Sequence, residues 1–245
     1  MILRQFLHQD PVGVSYVFGC GGKSLGAVCD PIDDPDLYIR MAHESGLKMS
    51  YVIDTHLHAD HISGGRRLAE MTGARYVLHA SAEANYDCHR VQDGDTLSLG
   101  NVSVRALHTP GHTPEHLSLL VTDSTRAAEP WFLLTGHTLM VGDVGRTELA
   151  SQAEIGARAL FDTIQRLKTF PDYLEIYPGA YAGSVCGRAL SGKPVSTIGF
   201  ERRYNRAFQI GDPDEFIQYM LGNIPAPPPN AAVVRAANQG ASVAA

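Results

Sequence analysis

Four residues of the kinds that bind metals lie within one short segment of the chain. His56, His58, Asp60 and His61 form an H-x-H-x-D-H cluster at the end of Tyr51-Val-Ile-Asp-Thr-His-Leu-His-Ala-Asp-His61. Imidazoles and carboxylates are the usual protein ligands of zinc and of non-haem iron. Residues so closely spaced cannot all lie on one face of a helix or a strand. The cluster therefore predicts a metal site in a tight loop that follows the apolar run.

Two further histidines stand where an apolar run ends beside a glycine. His112 occurs in Thr109-Pro-Gly-His-Thr-Pro-Glu-His116, and His137 occurs in Leu133-Leu-Thr-Gly-His-Thr-Leu-Met140. A glycine turn projects the following side chain from the strand end. We expect these loops and the H-x-H-x-D-H loop to converge at one rim of a two-sheet sandwich.

The elements that position these loops follow from apolar periodicity and turn residues. β-branched and aromatic runs bounded by glycine, proline and aspartate predict strands, and apolar residues at a helical period predict helices. The predicted strands are 2–8, 13–19, 25–30, 51–53, 75–78, 96–99, 102–107, 117–121, 131–135 and 174–177, and the predicted helices are 36–45, 66–71 and 155–167. Asp93-Gly-Asp95 and Leu99-Gly-Asn101 are predicted turns. This order favours two sheets covered by helices.

Composition restricts the class of protein. With 245 residues and 44% hydrophobic residues, the chain can bury one substantial core, and we predict a single domain over 1–224. Residues 225–245 are rich in proline and alanine, which predicts an extended or disordered surface tail without chemistry. The net charge of −6 gives no basic footprint for nucleic acid. Without a membrane span or a leader pattern, the protein is expected to be soluble and cytoplasmic.

The four cysteines are too scattered to indicate a zinc knuckle or a dithiol motif. Cys20, Cys29, Cys88 and Cys186 include no C-x-x-C pair, so we predict free thiols. Cys186 lies in the glycine-rich stretch Gly183-Ser-Val-Cys-Gly187 and could approach a pocket. Its sequence context favours a small buried hydrophobic residue.

Four stretches together resemble a known family. They are the H-x-H-x-D-H loop, T-P-G-H-T-P, the stretch from Thr135 to Arg146 that ends in V-G-D-V-G-R, and Ser196-Thr-Ile-Gly-Phe-Glu-Arg-Arg-Tyr-Asn205. They look like the metallo-β-lactamase superfamily and, within it, the persulfide dioxygenase branch. Gly142-Asp-Val-Gly-Arg146 is the mark of that branch. The resemblance covers nearly the whole chain and implies an α/β fold, the four-layer αββα sandwich, with the metal at one edge of its two sheets.

The resemblance also implies a ligand set, from which this chain departs twice. The branch holds one Fe(II) with residues at the positions of His56, His112 and His137, but an aspartate is expected where His137 stands. Ala180 replaces a histidine that serves the second metal in dinuclear relatives. Loss of a bridging carboxylate and of one ligand disfavours a two-metal site. Three imidazoles can still hold one ion, and we expect one Fe(II) per chain, with Zn(II) as the alternative.

The roles of the other candidate residues are implied by the same resemblance. The expected reaction is oxidation of glutathione persulfide, or a related small persulfide, by O2 to sulfite and thiol. Arg146 is expected to bind an anionic group of the substrate, since its guanidinium suits bidentate pairing. His58, Asp60 and His61 would orient ligands and pass protons, with Asp60 and His61 as candidate catalytic groups. Tyr181 is a candidate substrate contact.

Two alternatives remain open on the sequence. One is a zinc thioester hydrolase of the glyoxalase II type, in which His56, His58 and His112 hold the metal, a bound water is activated and Asp60 accepts a proton. The other is a family member that binds a metal or thiol without catalysis. Family resemblance further implies a possible homodimer and a small-molecule thiol or persulfide as the binding partner.

Overall fold

The computed structural model describes residues 1–32, 34–222, 224, 226–228 and 230–241. Its strands are β1 Ile2–Gln9, β2 Val12–Cys20, β3 Leu25–Cys29, β4 Lys48–Ile53, β5 Arg75–His79, β6 His89–Val91, β7 Thr96–Leu99, β8 Val102–His108, β9 Leu117–Asp123, β10 Phe132–Gly136, β11 Glu175–Pro178 and β12 Ser196–Thr197. Its α-helices are α1 Pro35–Glu44, α2 Gly65–Thr72, α3 Ala153–Leu167, α4 Ile198–Tyr204, α5 Arg206–Gln209, α6 Pro213–Leu221 and α7 Ala231–Asn238, and Gly21–Lys23 forms a 3-10 turn.

The strands form two six-stranded sheets. The first has the order β1-β2-β3-β4-β5-β6, and the second has the order β12-β11-β10-β9-β8-β7. In the first sheet β1, β2 and β3 pair antiparallel, whereas β3 through β6 pair parallel. In the second sheet only β10 and β11 pair parallel.

Alternation along the strands determines which side chains lie between the sheets. Tyr16 and Phe18 of β2 point into the core shared with β8, β9 and β10, whereas Val17 between them packs with Tyr38 of α1 and Leu68 of α2. On the other side, Leu133 of β10 packs with helices α3, α5 and α6. Helices therefore cover the outer face of each sheet. The predicted αββα sandwich is confirmed.

The predicted strands and helices all occur, with ends displaced by a few residues. The short strands β6 and β12 and helices α4 through α7 were not predicted, because each is too short or too weakly periodic to give a clear signal. The predicted turns at 93–95 and 99–101 are present, and Gly94 and Gly100 have φ angles of 89° and 74°.

The prediction of an extended or disordered tail over 225–245 is wrong for 231–238, which form α7. The alanines of this stretch favour a helix once the proline run has ended, and α7 packs against the H-x-H-x-D-H loop. Pro225, Pro229 and residues 242–245 of the predicted tail lie outside the described residues.

Across the described ranges, none of the helices has the length and apolar character that a membrane crossing requires.

Candidate metal centre

Three loops that follow strands bring three imidazoles together. His56 follows β4, His112 follows β8 and His137 follows β10. The ring centroids of His56 and His112 lie 4.8 Å apart, those of His56 and His137 4.8 Å, and those of His112 and His137 5.1 Å. Each of these residues is only 1–2% exposed. The structure thus brings together the three residues that sequence reasoning proposed from separate loops.

The ring of His56 is oriented from behind by a carboxylate relay. Asp30 follows β3 and accepts a hydrogen bond from the Thr55 hydroxyl at 2.9 Å and another from the Thr55 backbone N–H at 2.7 Å. The Thr55 oxygen lies 2.9 Å from His56 Nδ1. Because the hydroxyl proton is already donated to Asp30, Nδ1 is the donor in this contact, and Nε2 carries the lone pair that a metal requires.

His112 is oriented by a backbone carbonyl. Its Nδ1 donates to the carbonyl oxygen of Arg146 at 2.7 Å, so its Nε2 is the metal-binding nitrogen. Gly145 allows this close approach, since a Cβ there would lie 2.0 Å from the carbonyl oxygen of His137 and 3.0 Å from His112 Nδ1.

His137 rests on a second, fully buried histidine. Gly136 turns the chain with a φ of 50°, and the backbone N–H of His137 donates to His116 Nε2 at 3.1 Å. The hydroxyls of Thr109 and Thr138 lie 3.0 Å from His116 Nδ1. His116 therefore supports the site without facing it.

Two of the candidate ligand nitrogens are buried and lack a partner among the described residues. Within the described part of the chain, His56 Nε2 and His137 Nδ1 have no hydrogen-bond partner. Burial, followed by neighbouring imidazoles, lowers the pKa of His56 well below its usual value, and burial lowers the pKa of His112 to about 3. Burial also lowers the pKa of His137. All three rings are thus neutral at pH 7, which is the form that binds a cation. This donor set fits a divalent metal ion.

The remaining residues of the H-x-H-x-D-H loop form a charged group beside these rings. His58 Nε2 lies 3.3 Å from Asp30 Oδ1. Burial opposes its charge, but the hydrogen bond to Asp30 and the negative charges of Asp30 and Asp60 outweigh burial and raise its pKa well above the usual value. Asp60 Oδ1 lies 3.2 Å from His61 Nδ1 and 3.6 Å from His58 Nδ1. None of these three atoms has hydrogen-bond geometry to another described residue.

Two sets of candidate ligands share His137. The first comprises His56, His58, Asp60 and His137, and the second comprises His112, His137 and Cys186, with the ligand atoms of each set within 4.8 Å of one another. Cys186 is a free, buried thiol, as predicted. Burial, followed by the charge of Asp60, raises the pKa of this thiol well above its usual value. Its sequence context favoured packing over approach to a pocket, whereas the structure places the Cys186 sulfur in one group with His112 and His137.

The Arg146 side chain is engaged by protein groups. It is 3% exposed, pairs with Glu148, and donates from Nη1 to the carbonyl oxygens of Val185 and Ala226 at 3.0 Å each. These contacts tie the segment around Cys186 to the C-terminal segment. Binding of a substrate anion by Arg146 stays a prediction.

Tyr181 is also occupied by protein groups. Its hydroxyl donates to the carbonyl oxygen of His8 at 2.7 Å and accepts from Gln9 Nε2 at 2.9 Å. These two hydrogen bonds connect the loop after β11 to the end of β1. A substrate contact for Tyr181 stays a prediction. The expected histidine position after β11 holds Ala180, which is 1% exposed.

The C-terminal helix clamps the H-x-H-x-D-H loop. Asn238 Nδ2 donates to the carbonyl oxygens of His58 and His61 at 2.8 and 2.9 Å, and its Oδ1 accepts from the backbone N–H of Ser63 at 3.0 Å. One turn earlier, Arg235 donates to the carbonyl oxygen of Leu57 at 2.6 Å.

The buried carboxylate of Glu115 links Arg235 of α7 to the backbone of the same loop. Arg235 Nη1 and Nη2 lie 3.1 and 3.2 Å from the two oxygens of Glu115, and Glu115 Oε1 accepts from the backbone N–H of Leu57 at 3.0 Å. Sequence reasoning missed these supporting residues. For Glu115 and His116 the T-P-G-H-T-P-E-H motif itself was an available signal, but Arg235 and Asn238 had none.

Comparison with known proteins identifies the superfamily of this chain. The metallo-beta-lactamase superfamily model matches residues 29–180. The human mitochondrial persulfide dioxygenase ETHE1 is 27% identical over 232 residues, which cover 94% of this chain and 84% of that protein.

Two solved structures match nearly the whole chain. A Staphylococcus aureus protein described as a metallo-beta-lactamase has a TM-score of 0.92 and 36% identity, covering 97% of this chain and 72% of that one. ETHE1 from Myxococcus xanthus has a TM-score of 0.83 and 30% identity, covering 98% and 99%. The match of the superfamily model over most of the chain, together with the likeness to ETHE1 proteins in sequence and structure, means that this chain belongs to the metallo-β-lactamase superfamily and fits its persulfide dioxygenase branch.

Proposed function

We propose that this protein is a mononuclear Fe(II) persulfide dioxygenase that acts on glutathione persulfide or a related small persulfide. The observation that carries the proposal is the cluster of His56, His112 and His137. Three neutral imidazoles from three loops lie with ring centroids 4.8 to 5.1 Å apart, and each has a ring nitrogen suited to a metal. When bound there, Fe(II) would supply coordination of sulfur and activation of O2. The relatives named persulfide dioxygenase support this choice of reaction.

The overall reaction balances with a single water. A persulfide RSSH, O2 and H2O give RSH and sulfurous acid, which is ionised at neutral pH. The terminal sulfur gains its oxygens and the bond between the two sulfurs breaks, so a proton must return to the thiolate that leaves. Asp60 belongs to the same candidate ligand group as His56 and His137, and its Oδ1 lies 3.2 Å from His61 Nδ1, so we assign to this pair the role of holding and returning that proton.

The protein keeps the site dry and its ligands in position. The three rings are 1–2% exposed, which restricts water and strengthens charge interactions within the site. The Asp30–Thr55 relay fixes His56, and the carbonyl of Arg146 fixes His112. These supports hold the ligand geometry before metal arrives, so little reorganisation is needed on binding.

The test is oxygen uptake by protein reconstituted anaerobically with Fe(II), on addition of glutathione persulfide, with sulfite assayed in the same vessel. We expect one sulfite for each O2 consumed, and loss of both signals in His112→Ala. The matched control is Val233→Ala, which changes an exposed residue of α7 and should retain activity. Iron-loaded protein that consumes no O2 refutes the proposal.

The same protein loaded with Zn(II) tests the hydrolase alternative. Its candidate ligands His56, His58 and His112 lie close together, with 4.1 Å between the ring centroids of His56 and His58. Hydrolysis of a glutathione thioester by the Zn(II) form, with no oxygen uptake by the Fe(II) form, would favour this alternative. Oxygen uptake with sulfite and no thioester hydrolysis would favour the dioxygenase.

A further inference from the structure

We infer that Cys186 is a ligand of the metal ion, so that a thiolate supplies the negative charge that the ligand position at His137 lacks. The inference rests on the proposed metal centre and adds one residue to it. Three observations carry it: the position of the sulfur, the support of its backbone and an unpartnered ring nitrogen of His137.

The sulfur lies within reach of two ligands that come from other loops. Cys186 Sγ and the ligand atoms of His112 and His137 lie within 4.8 Å of one another. An ion about 2.1 Å from each nitrogen and about 2.3 Å from the sulfur can join such atoms after small side-chain rotations. Of the four cysteines, Cys186 is the one that joins a candidate metal group within the described residues.

The backbone fixes Cys186 relative to His112 through one shared residue. The backbone N–H of Arg146 donates to the carbonyl oxygen of Cys186 at 3.2 Å, while the carbonyl oxygen of Arg146 accepts from His112 Nδ1 at 2.7 Å. The backbone N–H of Cys186 donates to the Ser184 hydroxyl at 3.2 Å. The sulfur and the imidazole are therefore held on the same short frame, as two ligands of one ion would be.

His137, a member of the same group, has a buried ring nitrogen with no partner in the described part of the chain. His137 is 1% exposed, and its Nδ1 finds no hydrogen bond among the described residues. An unsatisfied buried nitrogen costs free energy, and a cation between it and the sulfur would satisfy both. An ordinary packing thiol does not account for this nitrogen.

Coordination by Cys186 changes the charge and the proton count of the site. The S–H bond would break as the metal–sulfur bond forms, no electron would be transferred, and the proton would be released to the buffer. With a thiolate and three neutral imidazoles, the centre carries one positive charge less than the imidazoles alone would leave. A soft sulfur ligand suits Fe(II) and Zn(II) alike.

X-ray absorption at the metal edge tests the ligand directly, without any activity. The protein is loaded with Fe(II) or, separately, Zn(II), in a phosphine reductant so that no other thiol is present. We expect one sulfur at about 2.3 Å from the metal, together with nitrogens at about 2.0 to 2.1 Å. Cys186→Ser should lose the sulfur signal and bind metal at least about tenfold more weakly, whereas Cys88→Ser, at a half-buried cysteine, should keep both.

The outcomes separate this inference from the proposed function. Metal bound at one ion per chain with nitrogen and oxygen ligands only overturns ligation by Cys186 and leaves the three-histidine site intact. Wild-type protein that binds no metal overturns both. The wild-type spectrum shows whether a sulfur ligand is present even if Cys186→Ser fails to fold.

Discussion

Asn238 offers a quantitative test of whether the C-terminal helix stabilises the metal-binding loop. It joins α7 to that loop through three hydrogen bonds, to the carbonyl oxygens of His58 and His61 and from the N–H of Ser63, and it is 8% exposed. Each such bond contributes about 1 kcal/mol net. Asn238→Ala should therefore make local opening of the loop easier by about 3 kcal/mol.

The assay is hydrogen exchange at the Ser63 amide, whose acceptor is the Asn238 side chain itself. Because about 1.4 kcal/mol corresponds to a factor of ten, exchange should accelerate by about 100-fold in Asn238→Ala. Asn238→Asp keeps an acceptor for Ser63 but replaces both donors with a carboxylate oxygen that repels the two carbonyls. It should therefore open the loop as readily as the alanine variant.

Val233→Ala is the matched control, because Val233 lies on the same helix and is 50% exposed. Its exchange at Ser63 should stay within a few-fold of the wild type. Metal affinity should weaken by about tenfold or more in Asn238→Ala, since loss of a group that holds a metal-binding loop in position has effects of this size. Unchanged exchange at Ser63 together with unchanged metal affinity would refute the idea that α7 stabilises the loop.

Three further predictions concern the ligands and their supports. His137→Ala should bind far less metal, whereas His137→Asp should keep the metal and raise dioxygenase turnover. Metal analysis and sulfite assays check both variants. Normal metal content in His137→Ala would remove this residue from the site. Asp30→Asn should lower metal affinity by about 10- to 100-fold, because the carboxylate that holds Thr55 and His58 loses its charge. Competition with a chelator measures this affinity, and an unchanged value would show that Asp30 does not support the metal ligands. Burial lowers the pKa of His56 and of His116 from 6.5, so below pH 6.5 the unfolded chain takes up protons that the fold excludes. The unfolding free energy of chelator-treated protein should fall there by about 1.4 kcal/mol per pH unit for each such histidine, and urea titrations that show no decline between pH 6.5 and 5 would oppose this account.

Much of the fold could be predicted because its signals are local. The alternation in β2 and the apolar runs of β8 through β10 distinguish strand from helix within a few residues. Glycines at 94 and 100 mark turns by their positive φ angles. The short strands β6 and β12 lack such signals, since pairing with a neighbour and not their own sequence makes them strands.

The candidate site divides in the same way. His56, His112 and His137 could be proposed because each follows an apolar run, and loops that follow strands of the two sheets can converge at one rim of the sandwich. Cys186 could not be placed, since nothing near it in sequence shows that its loop turns toward His112. The carbonyl role of Arg146 was equally hidden, because a backbone oxygen leaves no mark on the sequence.

By itself, the sequence determined the chemical types of the ligands, the strands that present them and the two-sheet class of the fold. Only the tertiary structure decided which groups support those ligands. Asn238 and His58 are 180 positions apart, and Asp30 reaches Thr55 across 25. Contacts over such separations arise when packed elements bury their polar groups together, because each buried donor or acceptor must find a partner wherever the fold places one.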